Sequence, residues 1–173
     1  MKELNLAFID LETDSLNFDA QIIEIAAVLA NQKDLNATEE WSAKIKFDLE
    51  KADSESLKIN KYNPAEWGSA IELKPALEIF LQKVSGRVLV GHNLAFDWAK
   101  ITRALFENNL KPTFYYQGYD TISLAYSKLK NDNRIIKFKL DELADYFGID
   151  KGNTHRALDD VRTTYQLFKK LVQ

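Results

Sequence analysis

From Leu4 to Glu12 the chain reads LNLAFIDLE, almost continuously apolar until its two carboxylates. Such a run reads as a strand covered on both faces, hence central in a sheet. Gln21–Ala30 (QIIEIAAVLA) predicts a second strand. Trp41–Phe47 (WSAKIKF) alternates and predicts a third, reached through the polar turn Asn31–Asn36. These short polar connections point to an antiparallel meander. The period then changes. In Pro75–Val84, Leu77, Phe80, Leu81 and Val84 fall at helical spacing, with Pro75 near the first turn. Arg87–Gly91 (RVLVG) reads as a short buried strand, Ala95–Asn109 as a helix and Phe114–Tyr119 as a further short strand. Thr121–Leu129, Leu140–Phe147 and Arg156–Val172 read as helices, with Gly148 a C-cap for the second of these. A meander followed by alternating helices and strands predicts an α/β domain with a mixed sheet.

Composition narrows the function classes. At 173 residues, 46% of them hydrophobic, the chain fits one domain spanning 1–173 with a full core, and no repeat or linker interrupts it. No apolar run approaches the roughly 20 residues of a membrane helix. The start, Met1–Lys2–Glu3–Leu4–Asn5, lacks the basic and apolar regions of a signal peptide, so a cytoplasmic location is expected. The absence of Cys excludes disulfides, thiolate metal sites and cysteine catalysis. A formal net charge of -3 counts against a broad phosphate-binding face. Bound divalent cations would reverse that sign where it matters.

Three clusters carry candidate chemistry. Asp10 and Glu12 lie two apart on a strand, so both point to one face at its C-terminal end. Two like charges in a half-desolvated place are costly unless a cation neutralises them. Asn93, Phe96 and Asp97 (in GHNLAFD) follow a strand and open a helix, where Asn93 can serve as cap and Asp97 gains from the macrodipole. His155 and Asp160 (in THRALDD) enter the last helix. Its apolar stripe is Ala157, Val161, Tyr165, Phe168 and Val172, with Asp160 beside the buried seam. His155 stands in a glycine-containing loop (KGNTH) that leaves it mobile and accessible.

Asp-x-Glu on the first strand, Asn-x-x-Phe-Asp after a later one and His-x-x-x-x-Asp entering the last helix occur here in a fixed order. In this the chain resembles the DnaQ-like 3′→5′ exonuclease superfamily in its His-containing branch, from about Leu4 to Phe168. The resemblance implies a ribonuclease H-like fold with a five-stranded mixed sheet whose first three strands are antiparallel. It implies that Asp10, Glu12 and Asp160 hold one metal ion, that Asp10 bridges to a second, and that Asp97 supports that second ion. Oxygen ligands, and only His92 and His155 as histidines, suit Mg²⁺ or Mn²⁺ rather than Zn²⁺. Two ions roughly 3.5–4 Å apart would serve an in-line displacement. His155 is the expected general base, since an unperturbed imidazole titrates near ~6.5. The product would be a nucleoside 5′-monophosphate.

Substrate grip is partly legible. Glu12–Leu16 (ETDSL) resembles proofreading domains of bacterial family A DNA polymerases, where a leucine matching Leu16 wedges between the last two bases and the backbone near Thr13 meets the 3′-OH. Those domains carry Tyr where this chain has His155. Leu16 reads equally as a core residue closing the strand. By resemblance Asn93 approaches the substrate backbone and Phe96 packs beneath the terminal nucleotide, although Phe96 also suits a helix core. Tyr62 and Trp67 (in NKYNPAEW) precede the first helix and offer stacking faces, with core packing the stronger reading for Trp67. The stretch Lys128–Lys139 (KLKNDNRIIKFK) could track a strand or be a solvated loop. Asp14–Ser15 replaces the Thr-Gly of many family members, which bears on the shape of the 3′-terminal pocket. Single-stranded DNA is the favoured substrate and RNA 3′ ends the alternative, with a non-catalytic binding scaffold behind both. One residue after the last helix favours a free-standing enzyme over one docked on a polymerase.

Overall fold

A computed structural model describes residues 4–173; Met1, Lys2 and Glu3 of the N-terminal reading lie outside the described residues. Among these, five strands form one sheet: β1 (Leu6–Thr13), β2 (Ile22–Ala30), β3 (Ala37–Lys44), β4 (Val88–Gly91) and β5 (Gly118–Asp120). Their order is β3-β2-β1-β4-β5. β1 and β2 pair antiparallel, as do β2 and β3. β4 joins β1 in parallel and β5 joins β4 likewise. The mixed sheet with an antiparallel first half is the expected one. Its continuous apolar run puts β1 in the middle, because only a strand flanked and covered on both sides buries every residue type it carries.

The pleat sorts β1 into two cores. Ala7, Ile9 and Leu11 face one layer, where α2 (Leu73–Lys83) contributes Leu77 and Phe80 and α3 (Leu94–Glu107) contributes Ile101 and Leu105. Leu6 and Phe8 face α6 (Ala157–Val172), meeting Val161, Tyr165 and Phe168. Phe8 is fully buried and meets Tyr165 and Phe168 edge-on at 5.2 and 5.3 Å. Its burial stabilises the fold by about 1.5–3 kcal/mol. Outside α6, α4 (Thr121–Leu129) and α5 (Leu140–Phe147) close a third cluster with Ala125, Leu143 and Leu167. α5 ends at Gly148, whose φ of +64° allows Ile149 N–H to donate to Ala144 O at 2.8 Å, so the expected cap is there.

Several boundaries differ from the sequence reading. The third strand begins at Ala37 rather than Trp41, because its ladder to β2 needs only backbone and its outer residues Thr38, Glu39 and Glu40 are exposed edge positions. β5 begins at Gly118; Phe114 leaves the ladder and packs on Trp98 at 5.1 Å. α1 (Ser54–Ile59) carries no buried residue and so shows no apolar stripe, although Asp53 caps it through Ser56 N–H at 3.2 Å. Short 3-10 turns cover Leu49–Lys51 and Pro64–Ser69. Val172, expected in the stripe of α6, is exposed. Among the described residues no helix is long and apolar enough to cross a membrane.

Candidate active site

The parity that turns Leu6 and Phe8 toward α6 carries on to Asp10 and Glu12. α6 places Asp160 in its first turn against them. Oxygens of Asp10, Glu12 and Asp160 all lie within 4.8 Å of one another. Asp97 arrives from the opposite layer, in the first turn of α3. β4 pairs with β1 only as far as Phe8, so Leu11 N–H has no strand partner on that side. Asp97 Oδ1 accepts it at 3.0 Å, which ties Asp97 to the backbone of the residue between Asp10 and Glu12 but leaves it outside the tight trio.

Electrostatics follows from this crowding. Burial first, then Asp97, Glu12 and Asp160, push Asp10 well above the usual carboxylate range. Burial with the charges of Asp160 and Glu24 pushes Glu12 up to about 8. Burial pushes Asp97 up to about 8 and Asp160 up to about 6. Glu24 stands directly opposite Glu12 in the β1–β2 register and is itself buried. Arg156 Nε stands 3.5 Å from Glu24 and draws Glu12 down only partly. Several carboxylates that cannot all ionise alone need protons or a cation. An oxygen-only donor set of this density fits a hard divalent ion of the Mg²⁺ or Mn²⁺ type.

His155 stands exposed in the loop before α6. Its backbone is left-handed, φ 63°, a conformation that costs a non-glycine residue about 1–3 kcal/mol and persists only where the surroundings impose it. Asp160 Oδ2 accepts His155 N–H at 3.0 Å, and Asp159 Oδ2 accepts Asn153 N–H at 3.1 Å. These two first-turn acids fold back on the loop in place of a side-chain cap from Arg156, the N-cap residue. Gly152 has φ +56°, and a Cβ there would sit 3.0 Å from Asp159 Cγ. The loop expected to be mobile is therefore tied to the same Asp160 that completes the carboxylate trio. His92 lies apart: half-buried, with Nδ1 2.8 Å from Thr121 Oγ1 and its imidazole held down by burial.

The residues expected to grip substrate divide. Leu16 is 85% exposed, so the core reading is wrong, and Phe18 beside it is 77% exposed. Their loop is pinned from α3. Buried Lys100 donates to the carbonyls of Asn17 and Phe18, and Arg103 donates to Phe18 O at 3.0 Å. Lys100 also lies 5.1 Å over the ring of half-buried Phe96. Asp14 closes the same loop by accepting from Gln21 N–H at 2.8 Å and Nε2 at 2.6 Å. Thr13 is buried; its hydroxyl donates to Ser15 O and its carbonyl accepts from Asn60 Nδ2. Asn93 does not cap α3. It is left-handed, φ 64°, and makes no side-chain cap bond; Asp120 Oδ2 takes Leu94 N–H at 2.6 Å instead. Trp67 is structural, with Nε1 donating to Ile45 O and its ring 4.9 Å from Tyr62. In the basic stretch, Lys128 binds the carbonyls of Lys170 and Leu171, and Arg134 pairs with Asp132. Glu24, Phe18 and Arg156 escaped the sequence reading. Glu24 alone left a signal, as an acid inside an otherwise apolar strand.

A family model described as RNase_T, Exonuclease, matches residues 7–168. The chain is 30% identical over 168 residues to DNA polymerase III PolC-type of Caldanaerobacter subterraneus subsp. tengcongensis, which covers 95% of this chain but 11% of that protein. It is 29% identical over 184 residues to Ribonuclease T of Shewanella denitrificans, covering 95% of this chain and 78% of that protein. Among solved structures, exonuclease I superposes with a TM-score of 0.83 at 19% identity, over 98% of this chain and 41% of that one. Exonuclease I of E. coli in complex with a dT13 oligonucleotide gives a TM-score of 0.82 at 18% identity, over 98% and 41% of the respective chains. At such identities the superpositions speak for the fold, while the family model decides membership: the chain belongs to the RNase_T exonuclease family.

Proposed function

We propose that this member of the exonuclease family is a metal-dependent 3′→5′ exonuclease, a single domain acting on single-stranded ends with DNA favoured. What carries the reading is the joint: Asp160 both completes the carboxylate trio and holds the backbone of His155. Asp10, Glu12 and Asp160 would hold one Mg²⁺, and Asp10 with Asp97 a second. When bound, the ions neutralise the carboxylates and stabilise charge on the attacking and leaving oxygens of an in-line displacement. His155 takes the proton of the attacking water. The P–O3′ bond breaks, and the terminal nucleotide leaves as a 5′-monophosphate. Leu16 meets the last bases, Asn93 the backbone and Phe96 the terminal nucleotide, with Thr13 shaping the pocket through its fixed loop.

DNA is favoured because E. coli exonuclease I, with the same fold, is seen with dT13 and dA16 oligonucleotides. RNA is the second reading, since Ribonuclease T is the relative of which this chain covers 78%. The 2′-OH discriminates the two. Rates on matched 5′-labelled DNA and RNA oligomers of several lengths, with Mg²⁺, test both. Faster shortening of DNA from the 3′ end is expected. Faster RNA shortening selects the second reading, and no shortening of either rejects the enzyme.

A further inference from the structure

His155 is flanked by Thr154 and Arg156, and both neighbours are held by one distant segment. Lys61 Nζ donates to Thr154 O at 2.9 Å across 93 positions of sequence. Glu66 Oε2 accepts from Arg156 Nη1 at 2.6 Å and pairs with Lys44 at 3.2 Å. The Arg156 guanidinium lies 5.8 Å from the centre of the Trp67 ring, itself fixed through Ile45 O. Lys61, Glu66 and Trp67 all belong to the connection between β3 and α2.

No residue of the loop 151–156 is buried, so apolar packing does not fix it. A polar cleft of about 710 Å³ opens between this connection and α6, and the ties cross it. A left-handed histidine held by Asp160 on one side needs restraint on the other. Single exposed ion pairs contribute little, but Arg156 is mostly shielded and shares Glu24 and Glu66 in one network. We propose that Lys61 and Glu66 are positioning residues: they brace the His155 loop from across the cleft and set the imidazole over the carboxylates. This rests on His155 being the base of the proposed reaction, although the bracing itself does not.

Lys61 and Glu66 are exposed, so Lys61→Met and Glu66→Met should leave the fold intact. Backbone hydrogen exchange, read by mass spectrometry on the whole chain, should quicken roughly tenfold over 151–156 in either variant and stay unchanged in the sheet. Unchanged exchange in that loop overturns the brace, whether or not the protein cuts nucleic acid. On labelled single-stranded DNA with saturating Mg²⁺, kcat should fall roughly ten- to a hundredfold with KM little moved. Lys61→Arg should restore it. In a His155→Ala background the Glu66→Met loss should vanish, since the brace acts through His155. A Glu66→Met loss that persists undiminished there overturns the positioning role. A wild-type protein without nuclease activity would reject the proposed function, and the exchange result would still decide the brace.

Discussion

Asp10 and Glu12 ride on the central strand of the sheet, whereas His155 stands in a loop with no buried residue. The two halves face opposite physical problems. The strand half must hold like charges at fixed separation, and backbone pairing with β2 does so at the expense of raised carboxyl pKa values. The loop half presents one imidazole to solvent, and in the proposed reaction to substrate, without a core beneath it. Hydrogen bonds to Asp160, from Lys61 and within the Arg156 network supply what packing does not. In the proposed reaction preorganised charge would thus lie on the rigid element, and proton transfer on an element tied down by polar contacts.

Asp160 is where the halves meet, so its substitution should disable both at once. Asp160→Asn removes a proposed metal ligand and should slacken the His155 loop; kcat should fall by about 10³-fold or more. A smaller loss than that of His155→Ala would separate the halves and break the comparison. His155→Ala should lower kcat about 10²–10⁴-fold and lose the rise in rate near neutral pH, while Mg²⁺ still raises the thermal midpoint. If that substitution abolished stabilisation by Mg²⁺, the histidine would belong to the metal-holding half.

The crowded carboxylates should govern stability against pH. Glu12 and Asp97 are held up to about 8 and Asp160 up to about 6, chiefly by burial. The unfolded chain releases these protons near pH 4, as ordinary carboxylic acids do. A raised acid pKa stabilises fully below the unfolded value, and that contribution is lost as pH climbs through 6 to 8. The thermal midpoint of metal-free protein should therefore fall between about pH 5 and pH 8.5, and saturating Mg²⁺ should flatten the fall. A midpoint that rises across this range without metal would contradict the crowding. The smallest effect belongs to the exposed tip: Leu16→Ala should raise KM for single-stranded DNA by roughly five- to a hundredfold at an unchanged midpoint. A lowered midpoint would return Leu16 to the core.

These contrasts explain what was legible in the sequence. Asp10 and Glu12 were, because a period of two fixes their common face and the apolar run fixes their central place. The sheet and the helices with apolar stripes were legible for the same reason. Asp97 is legible only beside Asn93 and Phe96, and its partner, Leu11 N–H, depends on where β4 stops. Asn93 looked like a cap by residue type, yet its left-handed backbone gives that task to Asp120. The sequence leaves Leu16 open between core and tip, since exposure at a strand end is set by Lys100 and Arg103 some 80 positions away. The brace from Lys61 and Glu66 spans similar distances, between polar residues that show no period.

In the proposed reaction the carboxylate trio makes the chain a metal-dependent nuclease of 3′ ends. The most direct measurement is release of nucleoside 5′-monophosphates from 3′-end-labelled single-stranded DNA, for wild type and Asp10→Asn side by side, with Mg²⁺ and with chelator. Release is expected from wild type only with metal, and none above background from Asp10→Asn even though it remains folded. Release by Asp10→Asn at the wild-type rate, or by wild type in chelator, would contradict it.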